Sequence, residues 1–156
     1  MSKTAQLDKA VPAFSVAATS GLTLRSRDLK GHKVVLYFYP KDNTPGCTTE
    51  GSDFRDLHAE FEQIGCRVFG VSKDSLRSHE NFRNKLGLPF ELISDEDETL
   101  CRLFDVIKLK KMYGREFEGI ERSTFLIDAD GKLRREWRKV KVKGHAEEVL
   151  EAARAL

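Results

Sequence analysis

At 156 residues, 40% hydrophobic and 33% charged, the chain reads as one soluble globular domain over residues 1–156, long enough to bury a sizeable core. A net charge of +2 is too small to imply a nucleic-acid partner, and three widely spaced cysteines, without CxxC or a metal-ligand cluster, argue against a disulfide scaffold or a metal centre and for a reducing cytoplasm. The start MSKTAQLDKAVPAF has no apolar leader core, and no apolar run reaches membrane-spanning length.

In chain order, residues 1–12 read as a loose lead-in. Phe14–Val16 and Leu22–Leu24, around Ser20-Gly21, predict a short hairpin, and Val34–Tyr39 a buried strand. One helix is expected from Thr44 to Gly65, with Phe54, Leu57, His58, Phe61 and Ile64 as its stripe. His58 reads there as a packed residue rather than a base. Cys66–Ser72 is a strand, and Leu76, Phe82 and Leu86 mark a helix stopped by Gly87. Phe90–Ser94 is a strand, and Asp95-Glu96-Asp97 opens a helix through Phe104, its acids matching the helix N-terminus. Residues 105–119 lack clean periodicity and read as an excursion. Ile120–Asp128 and Lys132–Val142 form an antiparallel pair, and Gly144–Leu156 a helix with Ala146, Val149, Leu150 and Ala153 inward.

The chemistry concentrates in Val34–Ser52, VVLYFYPKDNTPGCTTEGS. Thr44 suits a helix N-cap, its hydroxyl accepting from a first-turn amide, and Pro45 suits the first helical position. Cys47 then lies in the first turn, where free amides and the positive end of the dipole favour a thiolate. A buried structural cysteine would sit in an apolar pattern, whereas Cys47 is flanked by Asn43, Thr44, Gly46, Thr48, Thr49 and Glu50.

Alternating strands and helices followed by a hairpin and a last helix predict an α/β fold with a mixed sheet. A thiol at the first long strand-to-helix junction selects the thioredoxin-like fold, with helices flanking a mixed central sheet and an N-terminal hairpin. A flavodoxin-like sheet is the alternative, and would leave Cys47 without a role.

Pro40-x-x-x-Thr44-x-x-Cys47 resembles the active-site signature of peroxiredoxins. FYPKDNTPGCTTE, with VFGVSKDS, ELISDEDETLCRLFDV and GIERSTFLIDADGK, is similar to the peroxiredoxin-Q (bacterioferritin comigratory protein) subfamily from about Ala13 to the last helix. The resemblance implies a thiol peroxidase acting on hydrogen peroxide and organic hydroperoxides, a monomer without cofactor or metal. It implies that Cys47 is the peroxidatic cysteine and becomes sulfenic acid. Thr44 would hydrogen-bond the peroxide, Pro40 would shield the thiolate, and Arg122 would be the active-site arginine. By itself Arg122 reads as an exposed cross-strand residue, and Glu50 as an acid satisfying the helix dipole.

The two positions where the subfamily carries a resolving cysteine hold Ser52 and Arg83. Cys66 and Cys101 read as core residues, with an internal resolver at either one the alternative. The expectation is a one-cysteine cycle reduced by thioredoxin or by glutathione with glutaredoxin. A peroxide sensor would use the same Cys47. A CxxC oxidoreductase is disfavoured by Cys47-Thr48-Thr49-Glu50. The basic run Lys132–Lys143, with the lone aromatic Trp137, reads as a solvated edge strand rather than a polyanion site.

Overall fold

A computed structural model describes residues 4–156. Its elements begin with the expected hairpin of β1 (Ser15–Ala18) and β2 (Thr23–Arg25) and a 3₁₀ turn (Ser26–Leu29), then β3 (Lys33–Phe38). Helices α1 (Pro45–Asp56) and α2 (His58–Gln63), β4 (Cys66–Ser72), α3 (Leu76–Leu86), β5 (Leu92–Ser94) and α4 (Thr99–Leu103) follow. The chain closes with β6 (Ile107–Met112), β7 (Arg115–Ile120), β8 (Ser123–Ile127), β9 (Leu133–Trp137) and α5 (His145–Arg154).

Seven strands form one mixed sheet in the order β2-β1-β5-β4-β3-β8-β9. Strands β3, β4 and β5 run parallel, while β1, β8 and β9 join antiparallel to their neighbours. That mixture matches the thioredoxin-like expectation and not a parallel flavodoxin-like sheet. From Val34 to Phe38, β3 has no exposed residue. Alternation sends Val34, Leu36 and Phe38 into one core and Val35 and Tyr37 into the other. A strand apolar on both faces belongs in the middle of a covered sheet. Phe54, Phe61, Phe82 and Val149, from α1, α2, α3 and α5, fill the second core, and Leu100 of α4, Leu29 and Val16 fill the first.

Several expectations are corrected. The single helix from Thr44 to Gly65 breaks at Leu57, where φ −98° and ψ 1° leave the helical region. Glu60 N–H bonds the Leu57 carbonyl at 3.0 Å, a tightened turn that restarts the helix with both Phe54 and Phe61 wholly buried. Leu76 is exposed, and His79 takes the inward place in α3 beside Phe82. The lead-in expected over residues 1–12 falls in part outside the described residues. From Ala5 on it is tied down, with Ala5 N–H bonded to the Leu103 carbonyl and bridges from Leu7 and Ala10 to the start of β9. The excursion over 105–119 is a two-stranded hairpin, β6–β7, turned through Tyr113 and Gly114, both at positive φ. Two left-handed residues make the tight turn that suits a twisted hairpin. The strand expected over Ile120–Asp128 is interrupted at Glu121-Arg122. Its partner ends at Trp137, because Arg138 turns inward to donate to the carbonyls of Phe104 and Asp105. As expected, β9 is a sheet edge, and its basic residues face solvent there.

Candidate active site

Cys47 is the third residue of α1, delivered by the loop that leaves the C-terminal end of β3. Thr44 occupies the N-cap with extended backbone (φ −87°, ψ 153°), and Pro45 is the first helical residue. The expected cap bond is not made: the Thr44 hydroxyl donates instead to the Lys41 carbonyl at 2.8 Å, tightening the loop behind it. The amides of Gly46 and Cys47 precede the first possible helical acceptor, so they point out of the helix start. Cys47 as a residue is 1% exposed.

Arg122 reaches the same spot from the break between β7 and β8. Its Nη2 lies 3.3 Å from Cys47 Sγ, and its Nη1 donates to Glu50 Oε1 at 2.6 Å. Cys47 and Glu50 are three apart on α1, hence on one face of the helix, and the guanidinium fork spans both. Gly46 makes room for it, since a Cβ there would lie 3.1 Å from Nη2. The expectation that Arg122 alone reads as an exposed cross-strand residue is thereby overturned. So is the reading of Glu50, which is 1% exposed. Burial pushes its carboxyl up from 4.5 to about 7 against the opposing pull of Arg122, and its Oε2 has no hydrogen-bond partner among the described residues. Pro40 follows β3, at the start of the loop that leads to Cys47, and is exposed as a residue. His58 pairs with Glu62 at 3.0 Å, away from this cluster.

Beneath the loop lies a buried polar network that sequence reasoning missed. Asp42 accepts from Tyr39 Oη at 2.6 Å and from Ser78 Oγ at 2.8 Å, and its N–H donates to Asp74. His79 places Nδ1 2.8 Å from Asp42 Oδ2 and Nε2 2.9 Å from the Ile93 carbonyl. A carbonyl and a carboxylate only accept, so both ring nitrogens face acceptors. Burial works against the charge of Asp42, but bonds from His79 and Tyr39 outweigh it and hold its carboxyl below the usual range. Asp42, Asp74 and His79 bring three potential metal-ligand atoms within 4.8 Å. Both His79 ring nitrogens are already directed at protein oxygens. The available signal was spacing: His79, Phe82 and Leu86 sit at i, i+3 and i+7, so the histidine holds a core position. His145 was missed as well. It bonds the Thr124 hydroxyl at 2.8 Å, and burial lowers it from 6.5 to about 4.

The other two thiols are placed elsewhere. Cys101 belongs to the core on the opposite face of the sheet from Cys47. Cys66 shares the face of Cys47 but begins β4 opposite Lys33, the first residue of β3, whereas Cys47 follows the strand's other end. Those ends are five residues apart, about 16 Å at roughly 3.3 Å per residue. Burial pushes the Cys66 thiol up to about 12 and, with Asp95, raises that of Cys101. Arg83 donates to the Phe90 carbonyl and pairs with Glu91.

The pattern of the AhpC/TSA family matches residues 7–136. Peroxiredoxin Bcp of Xanthomonas campestris pv. campestris is 55% identical over 142 residues, covering 91% of this chain and 88% of its own. The chain belongs to the AhpC/TSA family, in its peroxiredoxin Q (Bcp) branch. Peroxiredoxin Bcp of Bacillus subtilis is 50% identical over 148 residues, covering 95% and 94% of the two chains. A solved structure of the Xanthomonas campestris bacterioferritin comigratory protein superposes with a TM-score of 0.87 at 53% identity, covering 91% and 90%. That protein was studied for alkyl peroxide reduction in trapped intermediate and ligand complexes. The thioredoxin-like fold and the assignment as a peroxiredoxin therefore stand together. Among the described residues no helix is long and apolar enough to cross a membrane.

Proposed function

We propose that this peroxiredoxin reduces hydrogen peroxide and alkyl hydroperoxides at Cys47 in a one-cysteine cycle, with an external thiol as reductant. The observation that carries the reading is the 3.3 Å approach of Arg122 to a thiol enclosed at a helix start. In the first step the Cys47 thiolate attacks one peroxide oxygen. The S–O bond forms as the O–O bond breaks, sulfur is oxidised to sulfenic acid, and the other oxygen leaves as alkoxide or hydroxide and takes up a proton. Arg122 and the first-turn amides are aimed where negative charge moves, and a guanidinium keeps its proton throughout. The Thr44 hydroxyl already donates to Lys41, so its free capacity is as an acceptor for the hydroperoxide O–H. Pro40 stands at the mouth of the loop, where it limits access of water to the thiol.

Reduction needs an external thiol because neither remaining cysteine is within disulfide reach. Bridged Cα atoms lie about 4.4–6.8 Å apart, whereas Cys66 lies at the far end of β3 and Cys101 across the sheet. One thiol forms a mixed disulfide with Cys47 and releases water, and a second restores the Cys47 thiol. Thioredoxin, or glutathione with glutaredoxin, fits that chemistry. Intact mass after one equivalent of hydrogen peroxide, with a sulfenic-acid trap and peptide mapping, tests the reading. A trapped adduct on Cys47 with the other thiols free is expected. Loss of two hydrogens without an adduct would assign an internal resolver and overturn the one-cysteine cycle. A Cys66→Ser, Cys101→Ser double variant that keeps turnover would agree with the first result.

A further inference from the structure

The basic run does not end with β9. Past Trp137 the chain leaves the sheet and runs beside the active-site arginine. Val140 N–H donates to the Arg122 carbonyl at 3.0 Å, and His145, the first residue of α5, bonds the Thr124 hydroxyl two residues beyond Arg122. Between these two ties lies a cavity of about 310 Å³, lined by Trp137, Arg138, Lys139, Lys141 and Lys143, with Glu148 as an acid on its rim. Arg138 is committed to the carbonyls of Phe104 and Asp105 and to Glu136. Lys139, Lys141 and Lys143 are exposed, and among the described residues they have no ion-pair partner. Such a cluster of like charges is relieved when an anion joins it.

A wider cleft of about 590 Å³ adjoins this cavity at Lys143 and Gly144, which line both. It lies between the starts of α1 and α5, and its walls are acidic, with Asp53 and Asp56 on one side and Glu147 on the other. Burial, then Asp56 and Glu147, raise the Asp53 carboxyl, so like charges crowd here as well. The cleft reaches Pro45 and Gly46, next to Cys47. A Cβ on Gly46 would lie 3.1 Å from Arg122 Nη2, which is itself 3.3 Å from Cys47 Sγ. The two adjoining hollows thus offer unpaired cations, then carboxylates, and meet the thiol site at Gly46. Their volumes are those of sites for small molecules.

We propose that this bipolar groove binds the reducing thiol as a small zwitterionic peptide, with Lys139, Lys141 and Lys143 taking its carboxylates and Asp53 and Glu147 its ammonium. The inference rests on the peroxidase reading above and selects among its external thiols. Glutathione has the required chemistry: two carboxylates, one ammonium and one thiol. Its sulfur attacks the sulfenic acid of Cys47, the S–S bond forms, and the hydroxyl leaves as water with the proton of the thiol. The Cys47 sulfur is reduced and the glutathione sulfur oxidised. A second glutathione then displaces Cys47 as the free thiol and departs as glutathione disulfide.

Stopped-flow reduction of the preformed Cys47 sulfenic acid tests the groove. Glutathione is compared with its dimethyl ester, which lacks the carboxylate charges, and with N-acetylglutathione, which lacks the ammonium. A Lys141→Gln, Lys143→Gln double variant should lower the glutathione-to-ester rate ratio about 5-fold, as two exposed ion pairs would, and salt at about 0.5 M should shrink the difference. An Asp53→Asn, Glu147→Gln double variant should lower the glutathione-to-N-acetylglutathione ratio several-fold. S-methylglutathione, which cannot react, should shift the amide resonances of residues 139–144 and of Gly46 in the wild type, and less in the lysine variant. Either ratio left unmoved by its substitutions, or no shifts at those amides, overturns the proposal. Slowing confined to reduction by thioredoxin assigns the lysines to a protein partner and overturns it too. Wild type that forms no trappable sulfenic acid with hydrogen peroxide overturns the peroxidase reading instead, and the S-methylglutathione shifts then decide the groove on their own.

Discussion

Glu50→Gln weighs the electrostatics of the site in a single measurement. Glu50 is enclosed between Arg122 and the second core, and its carboxyl is raised from 4.5 to about 7, by burial above all. A folded-state value above the unfolded one means that the fold prefers the protonated acid. The resulting stability is complete below about pH 4.5 and is lost as pH climbs through 7. At about 1.4 kcal/mol for each tenfold in proton affinity, the loss is about 3 kcal/mol. Glutamine keeps the shape and cannot titrate. The difference in unfolding free energy between wild type and Glu50→Gln should therefore change by about 3 kcal/mol between about pH 4 and about pH 8.5, wild type losing ground. A Cys47→Ser background removes the neighbouring thiol from both proteins. His145, whose own titration runs the other way, cancels because both carry it. In urea, with an m-value of about 2 kcal/mol/M, the gap between midpoints should move by about 1.5 M. A gap that stays constant across that range would show that the buried carboxyl does not hold its proton, and would refute the argument.

Arg122→Lys should lower kcat/KM for peroxide about a hundredfold, since a point ammonium cannot span Cys47 Sγ and Glu50 Oε1 together; stopped-flow peroxide consumption checks this. Gly46→Ala should separate activity from stability. A methyl 3.1 Å from Arg122 Nη2 displaces the guanidinium and slows oxidation several-fold, while alanine in the helix adds up to about 1 kcal/mol in urea unfolding. Gly70→Ala should do the reverse, destabilising by about 1–3 kcal/mol, because its Cβ would meet Leu92 Cδ2 at 2.7 Å and Tyr37 Oη at 2.8 Å in a filled core. His145→Asn should flatten the acid limb of the stability curve. Burial depresses His145 from 6.5 to about 4, so wild type is expected to lose up to about 3 kcal/mol as pH falls through that window and the variant is not.

Local chemistry made the thiol legible. Pro45 and Gly46 mark a helix start, and the position of Cys47 within it follows by counting, with no knowledge of distant residues. The buried strand β3 was legible for a similar reason, because a run such as VVLYF admits no polar face. Arg122 came from resemblance, since nothing in its local spacing distinguishes it from a strand-surface cation. Glu50 was misread because its partner is 72 residues away, and only that contact turns a helix-start acid into a buried one. The β6–β7 hairpin gave no periodic signal because much of both its faces meets solvent and lysines occupy either one. Asp42 looked like an ordinary turn residue for the same reason that Glu50 looked like an ordinary acid near a helix start. Its burial depends on His79 and Tyr39, brought together by the sheet.

That last pair bears on how the molecule opens. Asp42 belongs to the segment that presents Cys47, His79 to the middle of α3, and Ile93, the third member, to β5. Unwinding α3 would strand an uncompensated carboxylate under the site, and lifting the loop would leave a buried imidazole without its partner in the core. Either movement alone therefore carries the cost of a buried polar group left unpaired. Amide protons of α3 and of residues 40–47 should therefore exchange as one cooperative unit, at a free energy near that of global unfolding. The reactive turn then inherits the persistence of the central sheet, and successive turnovers meet the same geometry at Cys47.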